Sequence, residues 1–288
     1  MTELSNWGRW GEADELGTVN LITAEARRRG LAEAVSGRTV SLARPVIPSP
    51  LMGGPMAPRT HQTTGVQTVM QFTGPDPMAM AELLIINSHH PEVTHLDAMG
   101  HFVTDGQVYP GVPLARSVTP AGVRHGSASA FGDGILTRGV LLDLAPGGRL
   151  EPGHAVTADD LEATAAREGL DVQPGDALIV RGGYHLADDR GLVAVPGMTT
   201  SAVEWIHQKE ISLYGGDIGD ASPALPGERG PLHRIGLALL GLVLLDGSSP
   251  DALAQVCVEE GRYSFLLVVA PPRIEAVTGV LVNPIAIF

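Results

Sequence analysis

Four short runs of aliphatic and β-branched residues, each bounded by glycine or proline, constrain the fold more than any other feature of the sequence. They are GVLLDL at 139–144, ALIVR at 177–181, ISLYG at 211–215 and SFLLVVA at 264–270. Runs of this length and composition predict mostly buried strands. Because helical patterns alternate with them, the sequence predicts an α/β fold.

Helices are predicted between these strands from their start and stop signals. Thr23 precedes the helical pattern AEARRRGLAEAV, and Thr157 with Asp160 resembles a capping box before ADDLEATAARE. Pro250, as the first helical residue, and Gly261, beyond the last, bracket DALAQVCVEE. The chain is therefore predicted to be rich in strands first and to alternate helix and strand afterwards.

The size of the chain suits a single core. A chain of 288 residues exposes roughly 12,000 Å² when folded and roughly 44,000 Å² when unfolded, so it buries enough surface to need no disulfide. No serine-rich or charge-rich linker divides it. The sequence predicts one domain over residues 1–288, in which residues 1–60 form an arm or lid.

The charge balance excludes several classes of partner. The chain has 19 Lys and Arg against 32 Asp and Glu, a net charge of −13, which repels nucleic acid and anionic membranes. Its single cysteine, Cys257, forms no internal disulfide, and the N-terminal sequence lacks the pattern of a signal peptide. The longest apolar run, 235–245, is too short to span a bilayer. We expect a cytoplasmic protein that binds a small molecule.

A proline-rich segment, PVIPSPLMGGPMAP at 45–58, is incompatible with the interior of a helix or strand. A loop of this length in a compact domain is usually functional, and its apolar side chains favour a lid or a dimer arm. We expect Met52 to contribute to substrate binding. His61, in RTHQTTG, either lines the same pocket or lies exposed on a loop.

Histidine is concentrated in one segment. Four of the ten histidines fall within INSHHPEVTHLDAMGHF at 86–102. His95 and Asp97 are two residues apart, so on a strand both side chains point to the same face. Gly100 allows the chain to turn and return His101 towards them. Imidazole with carboxylate suits Zn, Mn or Fe rather than Ca or Mg, and the common hydrolase and nucleotide motifs are absent from the sequence.

The same segment resembles the signature of a known family. In the cyclase family of metal-dependent hydrolases, which includes bacterial kynurenine formamidase and isatin hydrolase, the signature is His-x-Gly-Thr-His-x-Asp-x-Pro-x-His. The corresponding stretch here is PEVTHLDAMGH. Four of the seven fixed positions match, at Thr94, His95, Asp97 and His101. Three depart, with Pro91 in place of the first metal-binding histidine, Val93 in place of glycine and Met99 in place of proline.

Three further segments extend the resemblance over nearly the whole chain. They are NWGRWGEADELGTVNLIT near the start, PGMTTSAVEWIHQKEISLYGGDIGDAS in the centre and TGVLVNPIAIF at the end. The resemblance implies the family's swivelling β/β/α fold in a single domain. It also implies assembly as a homodimer or homotetramer.

The roles of the site residues follow from the resemblance as expectations. His95 and Asp97 bind a divalent metal, Zn or Mn, and His101 acts beside it as general base. His233, with Asp246 thirteen residues on, resembles the pair that completes the site in the formamidases.

The missing first histidine leaves three alternatives open, because a catalytic metal normally has three protein ligands and Pro91 offers no donor atom. Either His89 or His90 fills the gap, with His90 as the expected ligand, or His233 or Asp246 supplies the third bond. In the last alternative the site has lost its metal.

The function implied is hydrolysis of a small amide, cyclic amide or lactone by metal-activated water. Two other functions remain open at this point. One is a biosynthetic cyclase or dehydratase that acts on a polyketide-like substrate with the same histidines. The other is a non-catalytic protein that kept the fold after losing the metal.

Overall fold

The structure, a computed structural model, describes residues 4–50, 65–76, 78–184 and 194–288. The strands are β1 (Thr39–Ser41), β2 (Ser49–Pro50), β3 (Val66–Phe72), β4 (Met80–Ile86), β5 (His95–Asp97), β6 (Gln107–Val108), β7 (Val112–Pro113), β8 (Val118–Thr119), β9 (Gly122–Val123), β10 (Ile135–Asp143), β11 (Ala155–Val156), β12 (Ala177–Arg181), β13 (Gly197–Met198), β14 (Leu213–Gly216), β15 (Val243–Asp246), β16 (Ser264–Val269), β17 (Gly279–Leu281) and β18 (Ile285–Ile287). The α-helices are α1 (Ala24–Ala32), α2 (Leu114–Ser117), α3 (Ala158–Arg167), α4 (Thr200–Gln208) and α5 (Asp251–Glu260). Gly17–Leu21 and Ala128–Phe131 are 3₁₀ helices, and Leu232–Leu240 is a π-helix.

Nine strands form one mixed sheet in the order β1-β18-β16-β10-β12-β14-β15-β5-β17. Its centre is parallel, since β10 pairs with β12, β12 with β14 and β14 with β15. The outer pairs are antiparallel, among them β15 with β5 and β5 with β17. All four apolar runs of the sequence lie in this sheet, and the predicted α/β fold is confirmed.

The central strands are buried on both faces. Val140, Leu141 and Leu142, three consecutive residues of β10, are all fully buried, although successive side chains of a strand point to opposite faces. Helices account for this burial: α1 packs on β10 and β16, α3 packs on β10 and α4, and α5 packs on β1 and β10. Strands covered in this way are continuous apolar runs rather than alternating ones.

The helix signals of the sequence operate as expected in three places. The Thr157 side chain accepts a hydrogen bond from the Asp160 amide, and the Asp160 carboxylate accepts one from the Thr157 amide, so the capping box is confirmed. Thr23 caps α1, and Gly261 ends α5 in the left-handed conformation with φ of 67°. Pro250 differs by one position, because it is the N-cap residue and α5 begins at Asp251.

The N-terminal segment is integrated into the domain as far as the structure describes it. Asn6 and Trp7 donate side-chain hydrogen bonds of 2.9 Å to the carbonyls of Leu240 and Ala238 in the π-helix. Leu42, which follows β1, is fully buried. Residues 1–3 and 51–60, the remainder of the predicted arm or lid, lie outside the described residues.

The longest apolar run of the sequence is divided between two elements. Residues 235–240 end the π-helix, and residues 243–245 belong to β15. In the described ranges, no helix has the length and hydropathy needed to cross a membrane.

Strand β5 places the histidine segment at one end of the main sheet. It lies between β15 and β17, with His95 opposite Asp246 and Asp97 opposite Gly279. Residues directly opposite one another in antiparallel strands have side chains on the same face. The sheet therefore puts His95, Asp97 and Asp246 on one face, although Asp246 is about 150 residues away in sequence.

Candidate metal centre

A cavity of about 250 Å³ opens beside β5. Its wall contains five of the histidines and carboxylates singled out in the sequence, namely His89, His95, His101, His233 and Asp246. The Asp97 carboxylate is fully buried beneath them. Of the expected site residues that the structure describes, it brings together all but His90.

Asp97 is the centre of the cluster. Its Oδ1 lies 2.8 Å from His89 Nδ1 and 3.4 Å from His95 Nε2. Its Oδ2 lies 3.6 Å from His233 Nε2 and 4.0 Å from His101 Nε2. Two groups of potential metal ligands result, and Asp97 belongs to both: His89, His95 and Asp97 in one, and Asp97, His101 and His233 in the other.

One oxygen of this carboxylate needs a partner. Asp97 Oδ2 is buried and accepts no hydrogen bond from any described residue. A buried charged oxygen without a partner costs free energy, so it marks a place where a proton or cation belongs. Burial raises the pKa of Asp97, but the neighbouring imidazoles of His233, His89 and His95 outweigh burial and hold it well below its ordinary value. The carboxylate is therefore ionised.

Two imidazoles direct a ring nitrogen at carboxylates. His95 Nδ1 lies 2.8 Å from the Val93 carbonyl, which can only accept, so Nδ1 carries the hydrogen and Nε2 faces Asp97. In neutral His95, Nε2 carries a lone pair that faces a lone pair of Asp97 Oδ1. Burial lowers the pKa of His95, but Asp97 outweighs burial and raises it, so a proton or a cation is favoured between the two atoms. Imidazole with carboxylate is the donor set of Zn and Mn. The residues therefore fit a divalent metal.

His233 repeats this arrangement on the other side of Asp97. Its Nδ1 lies 2.8 Å from Asp220 Oδ2, and its Nε2 lies 3.4 Å from Asp246 Oδ2. Burial lowers the pKa of His233, but the carboxylates of Asp220, Asp246 and Asp97 raise it to about 12. Three carboxylates, one at Nδ1 and two at Nε2, thus favour a positive charge on the His233 ring.

Asp220 is a positioning residue that the sequence did not reveal. Besides contacting His233 Nδ1, its carboxylate accepts hydrogen bonds from the backbone amides of Leu232 (2.8 Å) and His233 (3.3 Å) at the start of the π-helix. A carboxylate behind a ligating histidine fixes its tautomer and ring orientation. The sequence feature that could have indicated this role is the segment GGDIGD, which ends with Asp220 thirteen residues before His233 and also contains Asp217.

Asp217 also lines the cavity and supports part of its wall. Its carboxylate accepts hydrogen bonds from the backbone amides of Gly182, Gly183 and Tyr184, at 2.6 to 2.9 Å. Burial raises its pKa to about 6, and these amides oppose the rise. Asp217 therefore holds the segment 182–184, which contributes Tyr184 to the cavity wall.

His89, rather than His90, faces Asp97. His90 points elsewhere, because its Nδ1 accepts a hydrogen bond of 3.3 Å from the Glu92 amide and lies 3.8 Å from Glu92 Oε2. The expectation that His90 is a ligand is therefore not supported by its position. Of the two histidines considered as replacements for the ligand missing at Pro91, His89 is the one that faces Asp97.

The surroundings of His89 are adapted to hold it. Its Nε2 lies 2.9 Å from Thr278 Oγ1, and its ring stacks on that of His101 with centroids 3.8 Å apart. A Cβ atom at Gly279 would lie 2.5 Å from the His89 ring, so only glycine leaves space for the imidazole there. Thr278 and Gly279 belong to the C-terminal segment TGVLVNPIAIF, which the sequence linked to the family only as a likeness.

His101 returns to the site through a tight turn. Its amide donates to the Ala98 carbonyl at 2.9 Å, and Gly100 donates to the Gly126 carbonyl at 2.8 Å. Gly126 has φ of 75°, and a Cβ there would lie 2.4 Å from the Gly100 nitrogen. Burial lowers the pKa of His101, although Asp97 opposes the change, so the ring is neutral near pH 7. A neutral imidazole in this position can accept a proton.

The two expected substrate-binding residues, Met52 and His61, lie outside the described residues. Arg44 and Ser248 line the cavity and were not singled out from the sequence. Arg44 follows β1, and its amide donates a 2.9 Å hydrogen bond to Thr94 Oγ1, next to His95.

The chain is thus an α/β protein with a candidate metal centre, a cluster of histidines and aspartates beside β5. The chain belongs to the Cyclase family, whose model matches residues 42–221. That range contains His89, Asp97 and His101, whereas His233 and Asp246 lie beyond it. The family expected from the sequence is confirmed.

Solved structures agree with this assignment. A structure described as a novel cyclase is 26% identical, covers 99% of this chain and 98% of its own, and superposes with a TM-score of 0.83. Isatin hydrolase A from Labrenzia aggregata, bound to benzyl benzoate, is 18% identical over 90% of this chain and 97% of its own, with a TM-score of 0.62. Isatin hydrolase A from Ralstonia solanacearum is 21% identical over 91% and 95%, with a TM-score of 0.57. No curated protein sequence matched the chain. The swivelling β/β/α fold in a single domain is thereby confirmed.

The choice between His89 and His90 gives a test with a matched control. We expect His89→Ala to weaken the binding of Mn²⁺ or Zn²⁺ by about 100-fold or more, because loss of a residue that merely orients a ligand already costs about 10- to 100-fold. His90→Ala, one residue away, is expected to bind either metal within about two-fold of the parent chain. Isothermal titration of the metal-free proteins measures both. Equal losses in the two variants, or none in His89→Ala, would exclude His89 as a ligand.

Proposed function

We propose that the protein is a metal-dependent hydrolase that cleaves a small amide, cyclic amide or lactone. The observation that carries the proposal is the Asp97 carboxylate, which is buried, ionised and surrounded by imidazole nitrogens at the edge of a cavity. The cavity volume of about 250 Å³ suits a small molecule. The isatin hydrolases that share the fold support a reaction of this class.

His89, His95 and Asp97 are the residues we assign to the metal, with His233 and Asp246 on the opposite side of the carboxylate. The expected metal is Zn or Mn. When bound, such a metal supplies Lewis acidity, which polarises a scissile carbonyl and lowers the pKa of water.

His101 is assigned as the general base. Its Nε2 lies 4.0 Å from Asp97 Oδ2, beside the cluster, and its ring lines the cavity. Because burial keeps the ring neutral, His101 can accept a proton from the attacking water and later donate that proton to the leaving group. Asp220, through its contact with His233 Nδ1, fixes the orientation of that ring.

A second candidate function is a cyclase or dehydratase that uses the same residues. The specific observation in its favour is the structure described as a novel cyclase, whose similarity spans 99% of this chain. The two functions differ in the balance of water, since hydrolysis adds one water to the substrate whereas cyclisation conserves or removes it.

Product analysis tests the proposal. The metal-free chain, reloaded with Zn²⁺ or Mn²⁺, is incubated with a panel of aryl lactones, cyclic amides and N-acyl amines in ¹⁸O-labelled water. We expect at least one product with a single ¹⁸O atom in a new carboxylate, and we expect EDTA to abolish its formation and metal to restore it. Products lighter than the substrate by one water would support the dehydratase. Failure of the chain to bind either metal would support the non-catalytic alternative.

A further inference from the structure

The turn that carries His101, residues 98–101, is connected to a carboxylate far away in sequence. Within this turn the Gly100 amide donates a 2.8 Å hydrogen bond to the Gly126 carbonyl. The Gly126 amide in turn donates a 2.7 Å hydrogen bond to Glu15 Oε2. Two hydrogen bonds therefore lead from Glu15, in the N-terminal segment, to the residue next to His101.

The contact between Gly100 and Gly126 is too close to absorb a displacement. A Cβ atom at Gly126 would lie 2.4 Å from the Gly100 nitrogen, and one at Gly100 would lie 3.0 Å from the Gly126 carbonyl oxygen. Atoms packed as closely as this move together, because a dense interior transmits strain. A shift of Gly126 is therefore passed to Gly100, and from there to His101.

The segment that carries Glu15 is itself anchored. The carboxylate of the preceding residue, Asp14, accepts hydrogen bonds from the Gly17 amide at 2.9 Å and from the hydroxyl of the fully buried Tyr109 at 3.0 Å. On the other side, His125 Nδ1 lies 3.8 Å from Glu15 Oε1. Glu15 thus offers its carboxylate from a fixed position.

The same segment covers Met99, which precedes Gly100. Met99 stands where the family signature has proline, whose ring would fix a backbone angle of the turn. Methionine imposes no such restriction. Its side chain is fully buried, and a Cβ atom at Gly17 would lie 2.6 Å from its terminal methyl carbon. Contacts with the N-terminal segment therefore restrict a turn whose own sequence restricts it less.

We propose that Glu15 is a positioning residue for His101. By accepting the Gly126 amide, its carboxylate fixes the turn at 98–101 and with it the direction of the imidazole towards Asp97. This role rests on the proposed function, in which His101 is the general base. It requires an acceptor oxygen at the reach of a glutamate side chain, and it does not require negative charge.

Kinetics of Glu15 variants test this role, with the compound that the product analysis shows to be hydrolysed as substrate. We expect Glu15→Ala to lower kcat by about 10- to 100-fold, because a misplacement of about 1 Å can cost that much. Its KM is expected to stay within about three-fold of the parent value, since the substrate itself does not touch Glu15. Its affinity for Zn²⁺ is expected to stay within about two-fold, because a residue that orients no ligand leaves metal binding unchanged.

A conservative variant and a matched control accompany this measurement. Glu15→Gln keeps an acceptor oxygen at the same reach and is expected to restore kcat to within about three-fold of the parent value. Glu12→Ala removes an exposed glutamate three residues earlier and should change neither kcat nor KM. Glu15→Asp keeps the charge but shortens the side chain by one methylene, so it should lower kcat, and it replaces Glu15→Ala if that variant does not fold.

Magnetic resonance of the imidazoles gives a measurement that needs no substrate. The His101 ring stacks on that of His89 with centroids 3.8 Å apart, so a small displacement changes the resonance frequencies of its ring protons. We expect these resonances, identified by their absence from His101→Asn, to shift in Glu15→Ala and Glu15→Asp, with or without Zn²⁺. They should keep their parent positions in Glu15→Gln and Glu12→Ala.

The two measurements distinguish this role from the reaction itself. A chain that hydrolyses none of the compounds but shows the expected pattern of His101 shifts would keep Glu15 as a positioning residue and would count against the proposed function alone. Three results would overturn the role of Glu15. They are parent His101 resonances in both Glu15→Ala and Glu15→Asp, equal losses of kcat in Glu15→Ala and Glu15→Gln, and loss of Zn²⁺ together with kcat in Glu15→Ala.

Discussion

Asp97→Asn is expected to remove the metal and the activity together. Both groups of potential ligands contain Asp97, so one substitution acts on both sides of the cluster. The amide keeps the shape of a fully buried side chain but loses its charge, and its NH₂ group repels the donors around it. We expect metal affinity to fall by more than about 100-fold, beyond the effect of losing a residue that only orients a ligand. Metal content of the purified variant and its kcat measure the two losses.

The control for this experiment is Ser248→Ala. Ser248 lines the same cavity and is buried, but its hydroxyl donates to the Leu245 carbonyl at 3.1 Å and offers the metal no strong ligand. The control is expected to keep its metal. Circular dichroism shows whether Asp97→Asn is folded, since the residue lies in a strand paired on both sides. A folded Asp97→Asn protein with its full complement of metal would contradict the assignment of the site.

The parts of the fold that are determined by residues close together in sequence were predictable. The strand at 177–181 matches β12, and the predicted capping box starts α3, because apolar runs and caps act over a few residues. His95 and Asp97 were placed on one face by the spacing of two along a strand, and the structure has them there.

The choice of His89 over His90 was not predictable, because it depends on distant parts of the chain. The ring of His89 is held by Thr278 and fits only beside Gly279, about 190 residues later in sequence. Which histidine faces Asp97 is therefore decided by the pairing of β17 with β5. Local spacing around Pro91 contains no information about that pairing.

Asp220 and the hairpin of β3 and β4 show two further limits of prediction from the sequence. Asp220 acts through the start of a π-helix, a rare element that the spacing of apolar residues does not distinguish from an α-helix. The alternation rule that identifies half-buried strands misses β4, because its side chains on both faces are apolar and yet exposed. Such a strand resembles a buried one in sequence, and only the structure shows that nothing in the described chain covers it.

His101→Asn is expected to lower kcat by about 10²- to 10⁴-fold while the metal remains bound, because a positioned proton acceptor contributes a factor of this size. Of the four histidines around Asp97, His101 is the farthest from its carboxylate, at 4.0 Å, which favours a base over a ligand. Asparagine keeps a hydrogen-bonding group at the site but accepts no proton. Metal analysis and steady-state kinetics on the same preparation give the two quantities. A metal-free variant would reassign His101 as a ligand within the group of Asp97 and His233.

The pH dependence of kcat separates the two roles further. A base works only when unprotonated, so activity should fall as the pH drops through the pKa of His101. Burial lowers that pKa below 6.5, although Asp97 opposes the shift, and the acidic limb of the parent enzyme should therefore lie below pH 6.5. A bound cation lowers the pKa of water and can produce an acidic limb at similar pH, so the position of the limb alone does not identify the titrating group. Its loss in His101→Asn, in a variant that still holds its metal, would identify His101 as the base. A limb that survives unchanged would direct the search to His233, the next imidazole that faces the cavity.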